Sequence, residues 1–308
     1  MILVTGAAGL IGSHLVDSLL ETGHKVVGID DLSYGSLDNL KQARQYENFF
    51  FDQKNVLNIA SLTMNFKTVF HLASIKKTPS GQGYSGLRKN IEMGMAVADY
   101  CISTNARLVF TSTSDVYGNS DTYIETTPYD LGPPTEERYS YAMSKACQEQ
   151  YFLGLCEEGQ LDVVIPRIFG CFSERSNHGW SGGHIPIFID KAMKSADIEI
   201  HGDGSQSRCM SFATDIAYTL AKLYPRDTLT GEIVNIGNTE EMSVLESAKL
   251  IRKLCKSTSK FRFVNKHGDY REIKSRIPNL DKAKNFLDHE TTMTTKEGIQ
   301  RVINEWKK

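Results

Sequence analysis

The chain lacks the features that mark membrane, nucleic-acid-binding and disulfide-rich proteins. No apolar run in its 308 residues approaches the roughly 20 residues that a transmembrane helix needs. The six cysteines form no CxxC pair and the eight histidines show no ligand spacing, which argues against zinc and against a disulfide framework. The net charge is only −2, and no basic region precedes the first apolar residues. We therefore expect a cytoplasmic protein without signal peptide, metal, nucleic acid or membrane partner.

The sequence does contain a regular alternation of short β-branched runs and amphipathic stretches, without internal repeats. This alternation predicts a Rossmann-like, doubly wound parallel sheet in an α/β fold. The predicted strands are Ile2–Thr5, Lys25–Ile29, Phe49–Phe51, Thr68–Leu72, Arg107–Ser112 and Asp162–Ile168. The predicted helices lie near Ile11–Glu21, Leu87–Thr104 and Tyr141–Glu157.

The composition and the order of predicted elements change after about residue 166. Gly, Ser, Asn and His cluster at 173–184, which is typical of a loop, and a helix is predicted near Ile185–Met193. A short IEIHG strand follows, then a charged irregular stretch over Asn265–Asn279, and a last helix near Thr295–Trp306. We expect a first domain over residues 1–165, to which 211–237 return, and a smaller, mixed domain over 166–308.

A glycine-rich turn follows the first predicted strand directly. Gly6, Gly9 and Gly12 form a GxxGxxG pattern that opens a helix, the arrangement that brings backbone N–H groups to a pyrophosphate. The second strand ends at Asp30-Asp31, where a carboxylate can accept hydrogen bonds from the adenosine ribose and would repel a 2′-phosphate. The pattern favours NAD over NADP, the alternative being an ordinary βα turn with a solvated Asp pair.

Two segments have the residue types of a catalytic site. Thr111–Gly118 places hydroxyls at the carboxyl end of a strand, where ligands bind in doubly wound sheets. Tyr141 and Lys145 are four residues apart on one helix face, whereas Tyr139 lies off that face. An ammonium beside a phenol favours phenolate, so we expect Lys145 to lower the pKa of Tyr141, which then takes a proton from a substrate hydroxyl. The YxxxK pattern alone is common by chance. It indicates a catalytic site here because the glycine turn lies upstream in the same chain.

These segments together resemble the extended short-chain dehydrogenase/reductases, in the branch of nucleotide-sugar epimerases, dehydratases and decarboxylases. The resemblance runs nearly end to end and implies that the first domain binds NAD and the second binds the substrate. Its marks are GAAGLIG, GIDDLSYGSLDNL, VFHLAS, TSTSDVYG, YSYAMSK, HIPIFIDKAMK, IHGDGSQSRCMSF, VNIGNTEEMSVLE and IPNLDKAKNFL.

The resemblance also implies roles for individual positions. Expected cofactor-binding residues, beside the three glycines, are Leu10, Ile11, Asp30, Asp31, Leu32, Ser33, Tyr34, Gly35, Asn55, Val56, Leu72, Ala73, Ser74, Lys76, Asn90, Tyr141, Lys145 and Ile168. Expected substrate-binding residues are Lys76, Thr113, Ser114, Arg208 and Arg276, with both arginines gripping the diphosphate. Expected catalytic residues are Thr113, Asp115, Tyr141 and Lys145. The family also commonly forms homodimers through the helices near Glu92–Ser103 and Tyr141–Glu157.

The sequence departs from the family pattern at three positions. Gly170 stands where an Asn usually contacts the substrate phosphate, and Asn55 stands where Asp is usual. Asp115 occupies a position that often holds Glu in the dehydratases and decarboxylases. If the strand continued past Thr113, Asp115 would return to the same face and suit a general base near the sugar C5. Its alternative is a structural hydrogen bond.

The reaction stays open at this level. Each branch begins with oxidation at the sugar C4 by NAD, after which an epimerase returns hydride to the other face, a 4,6-dehydratase loses water and a decarboxylase loses carbon dioxide. We hold the epimerase and the dehydratase or decarboxylase near parity. Two alternatives of other kinds are a catalytically silent dinucleotide-binding scaffold and a plain reductase of small carbonyls.

Overall fold

The computed structural model describes residues 1–76, 83–178, 183–224, 227–264 and 273–308. The predicted loop at 173–184 and the irregular stretch at 265–279 lie partly outside these ranges. The strands are β1 Ile2–Thr5, β2 Val26–Asp30, β3 Phe49–Gln53, β4 Thr68–His71, β5 Arg107–Phe110, β6 Ser112–Thr113, β7 Val163–Ile168, β8 Cys171–Phe172, β9 Ile198–His201, β10 Ser207–Cys209, β11 Ser211–Phe212, β12 Ile233–Ile236, β13 Glu241–Ser243 and β14 Phe261–Val264. The helices are α1 Leu10–Glu21, α2 Gly83–Thr104, α3 Ser140–Glu157, α4 His184–Met193, α5 Ala213–Ala221, α6 Val244–Cys255, α7 Asp281–Leu287 and α8 Thr295–Trp306.

The main sheet is parallel and doubly wound, as predicted. Its strand order is β12-β7-β5-β4-β1-β2-β3, with β6 paired to β7. The order reverses between β1 and β4, whose ends at Thr5 and His71 are in register. The carboxyl ends of the strands at such a reversal border a crevice in which ligands bind. The fold therefore places the glycine turn after β1 at the expected cofactor position.

The apolar runs form central strands because both faces of the sheet are covered. β1 and β5 are buried at every residue, and their side chains alternate between two clusters. Ile2 and Val4 face α1 and α5, whereas Leu3 faces the layer formed by α2 and α3. A continuous Val/Ile/Leu run is what a parallel strand between two helical layers requires.

The chain after β7 builds a smaller unit that flanks the carboxyl edge of the sheet. β8 pairs with β11, β9 with β14 and β10 with β13. Its core contains buried side chains of α4, α6 and α8, including Ile189, Ile251 and Ile299. The segment that carries β12 returns to the main sheet, where Asn235 pairs with Arg167. The pairing is the one that the predicted return of 211–237 requires, and the division into two domains stays a prediction.

One predicted strand is interrupted. The expected strand Arg107–Ser112 ends at Phe110, and β6 then covers only two residues. A 3₁₀ turn over Ser114–Tyr117 follows, capped by Thr113, whose Oγ1 accepts a hydrogen bond of 3.2 Å from Asp115 N. The expectation that Asp115 continues the strand was therefore wrong, because the threonine hydroxyl offers the backbone a local partner that competes with the sheet.

Candidate active site

The glycine turn is closed around its own backbone and open on its outer side. Gly6 has φ +69°, and a Cβ there would lie 2.7 Å from Ala73 N. A Cβ on Gly12 would lie 2.0 Å from Gly6 O, whereas one on Gly9 would meet only that same oxygen at 3.2 Å. Gly9 has no side chain to cap α1, so it leaves the first N–H groups of the helix to other partners. This geometry fits the pyrophosphate of NAD.

The carboxylates at the end of β2 are positioned by backbone amides. Asp30 accepts from Ala8 N at 3.0 Å and from Leu32 N at 2.8 Å, and burial raises its pKa from the ordinary value. Asp31 accepts from Ser33 N at 2.9 Å and from Asn55 Nδ2 at 3.1 Å. Asn55 thus bonds an acidic neighbour, which an Asp at that position could do only when protonated. Each carboxylate keeps lone pairs for ribose hydroxyls.

One cavity of about 1,910 Å³ joins the expected cofactor and substrate regions. It is larger than the roughly 300–1,000 Å³ of a pocket for one small molecule, so two ligands fit side by side. The predicted residues that line it are Gly6, Gly9, Leu10, Ile11, Gly12, Asp30, Asp31, Ser33, Tyr34, Gly35, Asn55, Val56, Leu72, Ala73, Ser74, Lys76, Thr113, Ser114, Asp115, Tyr141, Ile168, Arg208 and Arg276.

Three predicted cofactor residues lie outside the lining. The side chain of Leu32 packs against the core beside α1. Asn90 is buried and bonds Ile75 N at 2.7 Å and Ser144 Oγ at 3.2 Å, so it ties the segment after β4 to α3. Lys145 is 2% exposed and lies behind Thr111. Asn90 therefore supports the cavity wall, and its expected contact with the cofactor stays a prediction.

The Lys145 ammonium faces the sheet. Its Nζ donates to Thr111 O at 2.8 Å and lies 4.5 Å from the centre of the Phe110 ring. Burial lowers the pKa of Lys145 to about 7; the Glu149 carboxylate opposes this fall, and Lys76 adds to it. The sequence did not single out Glu149, although it lies one helical turn beyond Lys145 on the same face, which was the available signal.

The Tyr141 hydroxyl has different partners from those expected. Burial raises the pKa of Tyr141, while Lys76 and a hydrogen bond from Ser74 act in the opposite direction. Lys76 Nζ lies 5.5 Å from the centre of the Tyr141 ring. Lys145 is turned toward Thr111 O, and its expected effect on the pKa of this phenol stays a prediction.

Lys76, Asp115 and Arg276 form a compact group beside Tyr141, which we call the charged cluster. Asp115 lies 2.7 Å from Arg276 Nη1 and 3.5 Å from Lys76 Nζ. Burial would raise the pKa of Asp115, but the two cations outweigh it and hold that pKa well below the ordinary value. Asp115 likewise raises the pKa of Lys76. The cluster is thus ionised, with two positive charges against one negative charge.

Both predicted arginines line the cavity. Arg276 Nη1 also bonds Ser114 Oγ at 3.2 Å, and its Nη2 bonds Gly118 O at 3.2 Å, so it lies at the Thr113 and Tyr141 end. Its expected grip on the diphosphate stays a prediction. Arg208 Nη1 bonds Ile273 O at 2.9 Å, which fixes the start of the segment that carries Arg276.

The departure at Gly170 has a packing consequence. A Cβ at this position would lie 2.6 Å from Met210 Sδ. Met210 therefore takes the volume that a larger side chain would occupy, and an Asn here would require the thioether to move.

The described helices include none that is both long and apolar enough to cross a bilayer. Within the same residues, no group of three or more His, Cys, Asp or Glu side chains is arranged to hold a metal ion. The expected absence of a metal stays a prediction.

Comparison with known proteins identifies the family. The model of the NAD dependent epimerase/dehydratase family matches residues 2–237. UDP-N-acetyl-alpha-D-glucosaminuronate decarboxylase of Bacillus cytotoxicus is 30% identical, with 99% of this chain and 96% of the relative covered. UDP-glucuronic acid decarboxylase 1 of Danio rerio is 29% identical over 98% of this chain and 71% of its own length. The solved structure of Epimerase Mth375 from Methanothermobacter thermautotrophicus superposes with a TM-score of 0.89 at 27% identity, covering 99% and 91% of the two chains.

The chain belongs to the NAD-dependent epimerase/dehydratase family. The predicted enzyme class, Rossmann-like fold and NAD cofactor are thereby confirmed.

Proposed function

We propose that the chain decarboxylates a nucleotide-linked hexuronate through a C4 ketone. The observation that carries this choice is the charged cluster, whose two cations and one anion leave a net positive charge beside the Tyr141 ring. A sugar carboxylate at C5 matches that charge, whereas a neutral hexose does not. Two relatives that match nearly all of this chain are named as decarboxylases of nucleotide-linked uronates, which supports the choice.

The proposed first step is removal of the C4 hydroxyl proton. Tyr141 takes this proton, and Thr113 Oγ1 holds the same oxygen by a hydrogen bond. The glycine turn and the carboxylates of Asp30 and Asp31 would hold NAD, which would accept the C4 hydride and later return it. Lys145 supports the charge on the phenol once it turns from Thr111 O toward the cleft.

Loss of carbon dioxide follows from the chemistry of a β-keto acid. The C5–C6 bond breaks, its electron pair becomes the C4–C5 double bond of an enolate, and Tyr141 and Thr113 stabilise the enolate oxygen. C5 then regains a proton, and the Lys76 ammonium donates it. Asp115 stays ionised and pairs Lys76 with Arg276. A general-base role for Asp115 is disfavoured because its pKa is held low; this weakens the 4,6-dehydratase alternative, which needs such a base.

The substrate choice is tested by binding in a Tyr141→Phe background, where turnover is blocked. We expect UDP-glucuronate to bind more tightly than UDP-glucose, and Arg276→Gln to remove that preference. One charge-assisted hydrogen bond is worth about 1.5–3 kcal/mol, or roughly 10- to 150-fold in Kd. Calorimetry on both ligands gives the ratio, and UDP-glucose serves as the control for general damage. An unchanged preference in Arg276→Gln would refute the assignment.

A C4 epimerase is the second candidate, because an epimerase needs no base at C5 and the ion-paired Asp115 offers none. Products from a panel of UDP-, dTDP-, GDP- and CDP-sugars distinguish the two by mass spectrometry and NMR. An epimerase leaves the mass unchanged and inverts C4, whereas a decarboxylase leaves a pentose.

The remaining predicted residues are assigned to the binding of NAD and of the substrate. We propose that residues 1–165 bind NAD and 166–308 bind the substrate, with Ser114 near the sugar and Arg208 on the diphosphate. Arg208 lines the cavity, and its planar guanidinium suits phosphate oxygens.

We also propose a cytoplasmic homodimer that associates through α2 and α3. Met95 and Ile102 on α2 and Tyr151 on α3 are large apolar side chains exposed by 37% or more. Analytical ultracentrifugation should give a dimer mass for the natural chain and a monomer mass for Met95→Glu/Tyr151→Glu. A double variant that stays dimeric would exclude this surface.

A further inference from the structure

A fully buried ion pair lies directly behind the proposed catalytic residues. Glu149 on α3 and Arg167 on β7 are 0% and 1% exposed. Arg167 donates to Glu149 through Nε at 3.1 and 3.2 Å and through Nη2 at 2.6 Å. Tyr129 donates to Glu149 Oε2 at 2.9 Å, and Ser112 donates to Oε1. The carboxylate is therefore held by three side chains from three parts of the chain.

The ion pair of Glu149 and Arg167 is linked to the catalytic residues through α3 and through Ser112. Tyr141, Lys145 and Glu149 follow one another at single-turn spacing on α3, so Glu149 is the anion on the inner face next to Lys145. Ser112 lies between Thr111, whose carbonyl accepts from Lys145, and Thr113. The hydrogen bond from Ser112 to Glu149 thus fixes both neighbours of Ser112 relative to α3.

We propose that Glu149, held by Arg167, is a positioning residue that places a negative charge behind Lys145 and fixes the strand that presents Thr113. The inference rests on the proposed roles of Tyr141 and Lys145. The groups facing Lys145 are Glu149 from α3, His71 from β4, Lys76 from the segment after β4, and the Thr111 carbonyl. His71 is neutral because burial lowers its pKa to about 3, so Glu149 is the anion among these groups.

The direction of the effect follows from charge. Without the Glu149 carboxylate, Lys145 loses its ammonium charge at a lower pH, and the Tyr141 phenolate then lacks a cation. The pH at which Tyr141 becomes a base rises as a result. A residue that only stabilised the fold would lower activity by the same factor at every pH.

The test is the pH profile of kcat for Glu149→Gln, which keeps the side-chain shape. We expect the acid limb to move up by about one pH unit, so that kcat falls roughly tenfold at pH 6.5 and recovers near pH 9. Asp215→Asn is the control, because Asp215 is a buried, hydrogen-bonded carboxylate on α5, bonded to Thr292 and away from Lys145. The acid limb of the kcat profile of Asp215→Asn should not move.

If Glu149→Gln does not fold, Glu149→Gln/Arg167→Met leaves no unpaired buried charge, and its limb should shift in the same direction. A uniform loss at all pH values, or an unmoved limb, overturns the inference while leaving the proposed function intact. Turnover that persists in Tyr141→Phe would instead overturn the proposed function.

Discussion

Gly9 and Gly12 should respond differently to the same added methyl group. A Cβ at Gly12 would lie 2.0 Å from Gly6 O, and contacts below 3.0 Å do not occur, so the turn must open by about 1 Å (3.0 − 2.0). That movement strains the 3.1 Å hydrogen bond from Gly9 N to Gly6 O. Overpacking of this kind typically costs about 1–3 kcal/mol. Gly12→Ala should therefore lower the free energy of unfolding of the ligand-free protein by about 2 kcal/mol.

Gly9→Ala should leave that stability nearly unchanged, since its Cβ meets one atom at 3.2 Å and its φ of −77° suits alanine. Its methyl group points instead toward the space assigned to the pyrophosphate. Both variants should weaken NAD binding by roughly 10- to 100-fold, which corresponds to about 1.4–2.8 kcal/mol. Urea unfolding without ligand and calorimetry with NAD separate the two effects. Equal stability of Gly12→Ala and the natural chain would refute the reasoning about the turn.

Three further predictions concern buried and cofactor-facing charges. Arg167→Met should destabilise the protein by about 3–5 kcal/mol in urea, because it leaves the Glu149 carboxylate buried without its cation; a loss below 1 kcal/mol would contradict this. Folding lowers the pKa of Lys145 from 10.5 to about 7, so this residue makes the fold less stable as pH falls from 10.5 to 7. At pH 7 this difference in pKa costs about 4 kcal/mol, and the hydrogen bond from Lys145 to Thr111 O recovers about 2 kcal/mol of it. Lys145→Met should therefore abolish turnover yet raise the unfolding free energy at pH 7 by about 2 kcal/mol; lower stability would show that the burial cost is absent. Asp30→Ser should narrow the ratio of Kd values for NADP and NAD by at least about tenfold, since the carboxylate repels a 2′-phosphate; an unchanged ratio would place that discrimination elsewhere.

The sequence predicted the layers of the fold because the signals involved are local. Apolar runs, the glycine turn and the spacing of Tyr141 and Lys145 are each readable within a dozen residues. These signals identified β1 and α8 to the residue. The sequence also predicted cavity-lining residues where a family motif lies at or just after the end of a strand. Asp30 at the end of β2 and Ser74 after β4 are examples.

The partners within the site could not be predicted because they come from distant parts of the chain. Arg276 meets Asp115 across 161 positions, and no periodicity links them. The orientation of Lys145 depends on a backbone carbonyl of another strand, which no side-chain pattern encodes. Asp115 left the strand because Thr113 caps a turn, a choice between local and sheet hydrogen bonds that the spacing TSTSD does not decide.

The central claim is that the charged cluster beside Tyr141 directs a C4 ketone toward loss of a C5 carboxylate. Its most direct test is incubation with NAD and UDP-glucuronate or UDP-N-acetylglucosaminuronate carrying ¹³C at C6, followed by measurement of labelled carbon dioxide. We expect release of the label from one of these substrates, and none in Tyr141→Phe. Label that stays in the nucleotide sugar while the natural enzyme turns over would contradict it.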